Sequence, residues 1–381
     1  MIAVALGALT LVIWLVLLLG RGMFWLARER DTRAMPPEPH VWPDVVAVVP
    51  ARDEADVIAR SVGSLLRQDY PGRFRVILVD DQSSDGTDEI ARALGSDRLE
   101  VLTGAALARG WTGKLWAVSQ GVAHAGEGPR YLWLTDADIE HAPDTLRMLV
   151  TRGEADGLSL VSLMALLHCE TPPERMLVPA FVYFFQMLYP FGQVNCPKGI
   201  GAAAGGCMLV RRTSLEQAGG IAAIRGALID DCTLGALLKQ QGPVWLGLTR
   251  RSCSIRPYRG FSPVAAMISR SAYAQLRYSP LLLAGTVFGM AIVYLVPPAL
   301  ALFADGLARW LGLAAWAIMA ITFQPMLRFY RRSPLWGVAL PGIAAFYLGC
   351  TMLSAWQHLR GRGGMWKGRA QAEAGQMAAD L

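Results

Sequence analysis

Tyr131-Leu132-Trp133-Leu134-Thr135-Asp136-Ala137-Asp138 is a hydrophobic run that ends abruptly in two carboxylates one residue apart. Read as a strand, residues 131–135 form a buried core strand of an α/β sheet. Asp136 and Asp138 then leave its carboxyl end on the same side, because side chains alternate with period two. Carboxyl ends of parallel strands are where such sheets bind ligands. Two carboxylates there suit a divalent cation, and a divalent cation suits a diphosphate. The alternative is a plain helix N-cap and turn, a common use of an Asp pair after a strand.

Outward from this segment the chain alternates strand and helix. Residues 45–49, 74–79 and, more weakly, 99–102 read as strands. Residues 54–68, 86–94 and 113–125 read as helices. Residues 158–166 and 207–210 add strands, and 230–240 a helix with an acidic start. This spacing predicts an α/β fold: a Rossmann-like, mostly parallel sheet with helices on both faces.

Composition sets a second theme. The chain has 381 residues, 53% hydrophobic and only 17% charged, with a mean hydropathy of +0.33. Soluble domains run nearer a quarter charged, so a membrane component is expected. Residues 2–19 carry no charge and are followed by Arg21, Arg28, Arg30 and Arg33. A cleavable leader would carry its basic residues before the apolar run. The order here reads as an anchor whose following side is cytoplasmic. A proline-rich linker occupies 34–44. Apolar runs return at 281–303, 311–326 and 335–356. The first is long enough to span, with Pro297-Pro298 as a place where it can break or end. Pro341-Gly342 lies inside the third, which leaves the topology of 335–381 open between a re-entrant segment and a tail that violates the charge rule. Residues 172–190, aromatic and proline-broken, read either as an interfacial segment or as a buried helix. The net charge of +6 sits in arginine-rich segments at 21–33, 250–277, 328–332 and 360–369. These lie beside apolar runs and fit anionic lipid better than nucleic acid. Six cysteines without a C-x-x-C pair argue against a zinc site and for a reduced compartment.

Further polar groups gather at predicted strand ends and helix starts. The first strand runs into Val48-Val49-Pro50-Ala51-Arg52-Asp53-Glu54, where Asp53 and Glu54 can serve a nucleoside or simply cap a helix. The second runs into Asp80-Asp81-Gln82-Ser83-Ser84-Asp85-Gly86-Thr87. Asp80 and Asp81 can accept from base and ribose donors, and Ser84 or Asp85 reads as a cap. Gly110-Trp111-Thr112-Gly113-Lys114 opens a helix whose amides and ammonium suit an anion; an ordinary surface lysine is the alternative. Asp230 and Asp231 begin another helix. One of them can act as a general base, its pKa raised by its neighbour and by burial; the alternative is an acidic first turn favoured by the helix dipole.

In their order and spacing, VVPARDE, ILVDDQSSDGT, GWTGK, LTDAD and IDD resemble a membrane-bound family 2 glycosyltransferase over residues 44–280. With the flanking apolar runs and the tail Met365-Trp366-Lys367-Gly368-Arg369, the chain is most similar to the hopene-associated glycosyltransferase subgroup, with carotenoid and ceramide glycosyltransferases as cousins. The resemblance implies a GT-A fold and a nucleotide-sugar donor, with Pro50, Asp53, Glu54, Asp80, Asp81, Lys114, Asp136 and Arg277 in its binding. It implies that Asp136 and Asp138 hold Mg²⁺ or Mn²⁺. Asp231 would be the catalytic base, with Asp230 in place of the family's usual glutamate. Gln275-Leu276-Arg277-Tyr278 departs from the Gln-x-x-Arg-Trp of processive synthases, which implies a single transfer.

The expected organisation is a membrane anchor over 1–33, the linker 34–44, a catalytic domain over 45–255 and an interfacial amphipathic segment over 256–280. A membrane region over 281–356 and a basic tail over 357–381 follow. The expected protein is a multi-pass enzyme of the inner (cytoplasmic) membrane with its catalytic domain in the cytoplasm. It would move a hexosyl or N-acetylhexosaminyl group, UDP-linked, onto a hydroxyl of a membrane lipid acceptor such as a hopanoid, with no nucleic acid involved. Two rivals stand beside it: a polyprenyl-phosphate glycosyltransferase, and a non-catalytic membrane scaffold with a degenerate nucleotide-binding fold.

Overall fold

The computed structural model describes residues 1–33 and 35–361, plus the backbone of a short antiparallel pair, Met365–Trp366 with Arg369–Ala370. Lys367 and Gly368 of the tail motif lie outside the described residues. The chain divides into two compact units. One comprises Glu29–Leu167, Gln193–Arg256 and Gly364–Leu381; the other comprises Met1–Arg28, His168–Gly192 and Pro257–Gly363.

The first unit is built on an eight-stranded sheet. In chain order the strands are β1 (Val45–Ala51), β2 (Phe74–Asp80), β3 (Leu99–Thr103), β4 (Tyr131–Leu134), β5 (Ile139–His141), β6 (Leu160–Leu166), β7 (Met208–Arg211) and β8 (Val244–Ser254). Their spatial order is β3-β2-β1-β4-β7-β6-β8-β5. The β3-β2-β1-β4 half is parallel throughout. β7 runs antiparallel to both β4 and β6, and β5 antiparallel to β8, so the sheet is mixed. All seven residues of β1 are buried. A continuous apolar run, rather than an alternating one, means that both faces are covered. The helix Ala55–Leu66 contributes Ile58, Val62 and Leu65, which join Val45, Leu78 and Trp133 in one core. Fully burying each such side chain stabilises the fold by roughly 1.5–3 kcal/mol.

The second half of the sheet was the harder part to foresee. β5 and the helix Thr145–Ala155 lie in a stretch with no assigned element, and β8 falls in one left unread. The polar end of β8 falls in the arginine-rich segment 250–277, expected from the sequence to meet anionic lipid. Instead, Arg251 pairs with Asp31 and Asp144, each at 3.0 Å. Arg30 bridges to Leu248 by backbone pairing.

The second unit is helical. Three helices, Ile2–Leu19, Pro280–Phe303 and Gly306–Phe329, are long and apolar enough to cross a membrane, with mean hydropathies of 2.9, 2.0 and 1.5. Pro297-Pro298 does not end the second of these. A π-turn over Ala291–Leu295 precedes both prolines, which then occupy the first turn of the resumed helix. A proline ring there needs no N–H partner. Pro341 likewise sits in the first turn of Leu340–Leu359. Residues 172–190 resolve as the buried-helix alternative. Pro172–Leu188 starts from a Thr171–Glu174 capping box and buries Leu177, Val178, Ala180, Val182 and Tyr183. The amphipathic helix Phe261–Gln275 is followed by Arg277 and Tyr278, both left-handed at φ 51° and 54°. Tyr278 stacks on His358 with ring centroids 4.3 Å apart.

Candidate active site

The site grows from the end of β4. Thr135 Oγ1 donates to the Gly206 carbonyl at 2.8 Å and lies 2.9 Å from Nε2 of His141. The hydroxyl has one proton, so the ring donates from Nε2, and its Nδ1 accepts from the Ser252 hydroxyl at 2.8 Å. Burial pushes His141 down to about 3, so the ring is a neutral brace beneath the turn. Above it stand Asp136 and Asp138, both partly exposed.

Asp136 meets the start of a helix. Thr112 caps Gly113–His124 by accepting from the Leu115 amide at 3.4 Å. The cap aims the next turn at the sheet edge. Lys114 Nζ lies 2.8 Å from Asp136 Oδ1 and 3.0 Å from Asp230 Oδ2. Burial pulls this ammonium down, but the two carboxylates outweigh it and hold Lys114 well above the ordinary lysine value. Asp230 and Asp231 open the helix Asp230–Lys239. Asp231 Oδ2 accepts from the Gly205 amide at 2.9 Å, and Oδ1 from the Cys232 amide at 2.7 Å. Burial first, and the Asp230 charge second, raise the Asp231 carboxyl to about 6 against the pull of Lys114. The backbone approaches closely here: a Cβ on Gly205 would stand 3.4 Å from both Asp231 Oδ2 and Lys114 Nζ. Pro50, Lys114, Asp136, Gly205, Asp230 and Leu234 line a small cleft.

The β1 and β2 ends clasp one another. Asp53, left-handed at φ 50°, donates its amide to Ser83 Oγ and accepts from the Ser84 amide, both at 2.9 Å. Glu54 donates its amide to Thr87 Oγ1 at 2.8 Å, and Ala55 donates to Asp85 Oδ2 at 2.9 Å. The alternative of a plain helix cap at Asp53 does not hold: Glu54 occupies the cap position, and Asp53 locks two loops together. Gly86 occupies the cap position of the following helix, at φ 85°, where Ser84 or Asp85 was expected. Asp81 is fully buried 3.8 Å from the Arg52 guanidinium. Asp80 Oδ2 accepts from the Ser83 amide at 3.1 Å, whereas its buried Oδ1 has no hydrogen bond. A buried acceptor left open is uncommon and points to a missing donor.

One participant was not foreseen. Arg256 Nε lies 3.1 Å from Asp138 Oδ2, and its Nη2 is paired with Glu54 Oε2. The register explains why: Ile139 pairs with Ser254 across β5 and β8, and the Ile255 amide donates to the Asp138 carbonyl at 2.9 Å. Arg277, by contrast, belongs to the helical unit. As for a metal, no group of three His, Cys, Asp or Glu side chains could hold one among the described residues. The two carboxylates still fit a hard cation. Each already binds a basic group, and Mg²⁺-type ions take one or two carboxylates with the remainder from phosphate and water.

Residues 46–219 match the family described as Glycosyl transferase family 2. The match covers a little under half of the chain, and over these residues the chain is similar to that family. It has the GT-A fold: a Rossmann-like, mixed but mostly parallel sheet with helices. The chain is 31% identical over 186 residues to the beta-monoglucosyldiacylglycerol synthase of Trichormus variabilis, covering 47% of this chain and 38% of that protein. It is 34% identical over 125 residues to the succinoglycan biosynthesis protein ExoO of Rhizobium meliloti, covering 33% and 34%. The chain thus spans well under half the length of these curated relatives. Among solved structures, the mannosyltransferase PcManGT from Pyrobaculum calidifontis, in complex with GDP-Man and Mn²⁺, superposes with a TM-score of 0.53. It shares 19% identity and is covered over 92% of this chain and 99% of its own. That likeness establishes the fold alone. The matched glycosyltransferase region contains Lys114, Asp136 and Asp138, whereas Asp230, Asp231 and Arg256 lie beyond it.

Proposed function

We propose that this chain transfers a sugar, in one inverting displacement, from a UDP-linked donor to a hydroxyl of a membrane lipid. The observation that carries this reading is the Lys114 bridge. One ammonium, 2.8 and 3.0 Å from carboxylates on two different elements, sits beside a third carboxylate raised to about 6. An ammonium so placed suits a diphosphate. A carboxylate raised toward neutrality suits proton abstraction.

Asp231 would take the proton from the acceptor hydroxyl. The hydroxyl oxygen would bond to the anomeric carbon as the bond to the diphosphate breaks, and the diphosphate would leave with the electron pair. Lys114 would face the departing charge. Asp136 and Asp138 would hold Mg²⁺ or Mn²⁺, which when bound neutralises charge on the leaving diphosphate. The open acceptor at Asp80 Oδ1 suits a nucleoside N–H or O–H, with Pro50, Asp53, Glu54 and Asp81 around it. Arg277 as a further diphosphate contact rests on the family resemblance, as does the hopanoid among candidate lipids. The lipid acceptor is supported by the three apolar helices and by the relative named for monoglucosyldiacylglycerol synthesis.

The test is nucleotide release by detergent-purified protein with Mn²⁺. The panel covers UDP-sugars and GDP-mannose, with and without lipid extract. Lipid-stimulated release from one donor, lost in Asp138→Ala, is expected. No release and no nucleotide binding with any donor sinks the reading.

A further inference from the structure

Arg256 holds two carboxylates in different ways. Glu54 is buried, and its backbone amide is fixed by Thr87. Asp138 is the more exposed of the two, and Arg256 itself is about a third exposed. The guanidinium therefore joins an anchored, buried carboxylate to a more exposed one. Its Nε occupies an oxygen of the very carboxylate assigned above to a divalent cation. A dication on Asp138 would compete with the guanidinium 3.1 Å from Oδ2, because two positive charges repel across a short, partly desolvated distance. Lys114 occupies the other carboxylate, Asp136, in the same manner. Both expected metal ligands are thus already neutralised by the chain's own cations.

We infer that Arg256 is an exchangeable counter-ion. It pivots on Glu54, holds Asp138 while no nucleotide is bound, and gives Asp138 up when a nucleoside diphosphate supplies an alternative anion. A guanidinium is suited to that exchange, since its planar fork matches carboxylate and phosphate alike. Arg256 is then a positioning residue. It makes divalent-cation binding depend on the nucleotide, and so keeps the bare site from capturing metal. The inference rests on the function proposed above.

The test is Mn²⁺ titration of the full-length protein in detergent, read by the electron paramagnetic resonance signal of free Mn²⁺, with and without UDP. Wild type should bind Mn²⁺ weakly alone and more tightly with UDP. Arg256→Gln should bind Mn²⁺ alone about tenfold more tightly than wild type, which abolishes most of the UDP coupling. Arg256→Lys, which keeps the charge but cannot span both carboxylates, should fall between them and guards against a misfolded Gln variant. Equal or weaker Mn²⁺ binding by both variants, with UDP binding retained, overturns the inference and leaves the proposed function standing. Wild type that binds neither UDP nor Mn²⁺ overturns both.

Discussion

With Asp231 near 6 as the base proposed above, its carboxylate form would do the work, so the rate should fall as pH drops through about 6. The Lys114 charge opposes the rise in the Asp231 value. Lys114→Gln removes that opposition, so the acid limb should move to higher pH as well as lose height; kcat measured across pH 5–8 checks this. Asp231→Asn should lower kcat by about 10²–10⁴ with a hydroxyl acceptor. A variant that keeps most of its activity would instead favour a phosphate acceptor, which needs no strong base. Lys114, Asp136, Asp230 and Asp231 could be picked out of the sequence because each stands at the end of a well-marked element. Their mutual contacts could not. Arg256, His141 and Gly205 left no such mark, since they reach the site only through the pairing of β5 with β8 and the reversal of β7.

At the scale of elements, the brace under the Asp136 turn carries a pH signature of its own. His141 is held down to about 3 from an ordinary 6.5. Between those values the unfolded chain binds the extra proton, so stability rises with pH and is lost as pH falls below 6.5. The slope approaches 1.4 kcal/mol per pH unit at most. Asp231, raised from 3.8 to about 6, contributes in the opposite sense over its own window. Comparing wild type with His141→Gln therefore isolates the histidine. The wild-type melting temperature should fall more steeply from pH 6.5 to pH 4.5, and parallel curves would refute the brace. The parallel half of the sheet was legible because β1 and β4 are unbroken apolar runs and β2 is apolar over Val76–Val79. β8 was not: its VWLGLTRRSCS sequence turns polar half-way, and Arg251 answers Asp31 and Asp144, residues over a hundred positions away. β5, with three residues, is too short to carry a period.

For the whole molecule, the exposed apolar helices set an expectation of membrane attachment. Leu281, Phe288, Phe303 and Trp310 are each at least two-thirds exposed on helices long enough to span a bilayer. Apolar area of that kind is stable only when covered. The full-length protein should therefore stay in the membrane pellet through an alkaline carbonate wash and enter solution only with detergent. Release by carbonate would mean surface attachment. The length of the helix through 297 and 298 was legible in the sequence, but its continuity was not, because the π-turn that precedes the two prolines has no compositional signature.

The Lys114 bridge has a consequence for affinity. It ties the end of β4 to the helix that carries Asp231, across the mouth of the cleft. A donor bound as proposed would compete with this ion pair, so part of its intrinsic binding strength would go into opening the site. Weakening the clamp should then recover that strength. Asp230→Asn is expected to bind UDP several-fold more tightly by calorimetry while turning over more slowly, a trade of throughput for grip. Unchanged or weaker UDP binding in that variant would mean the clamp is not a barrier to entry.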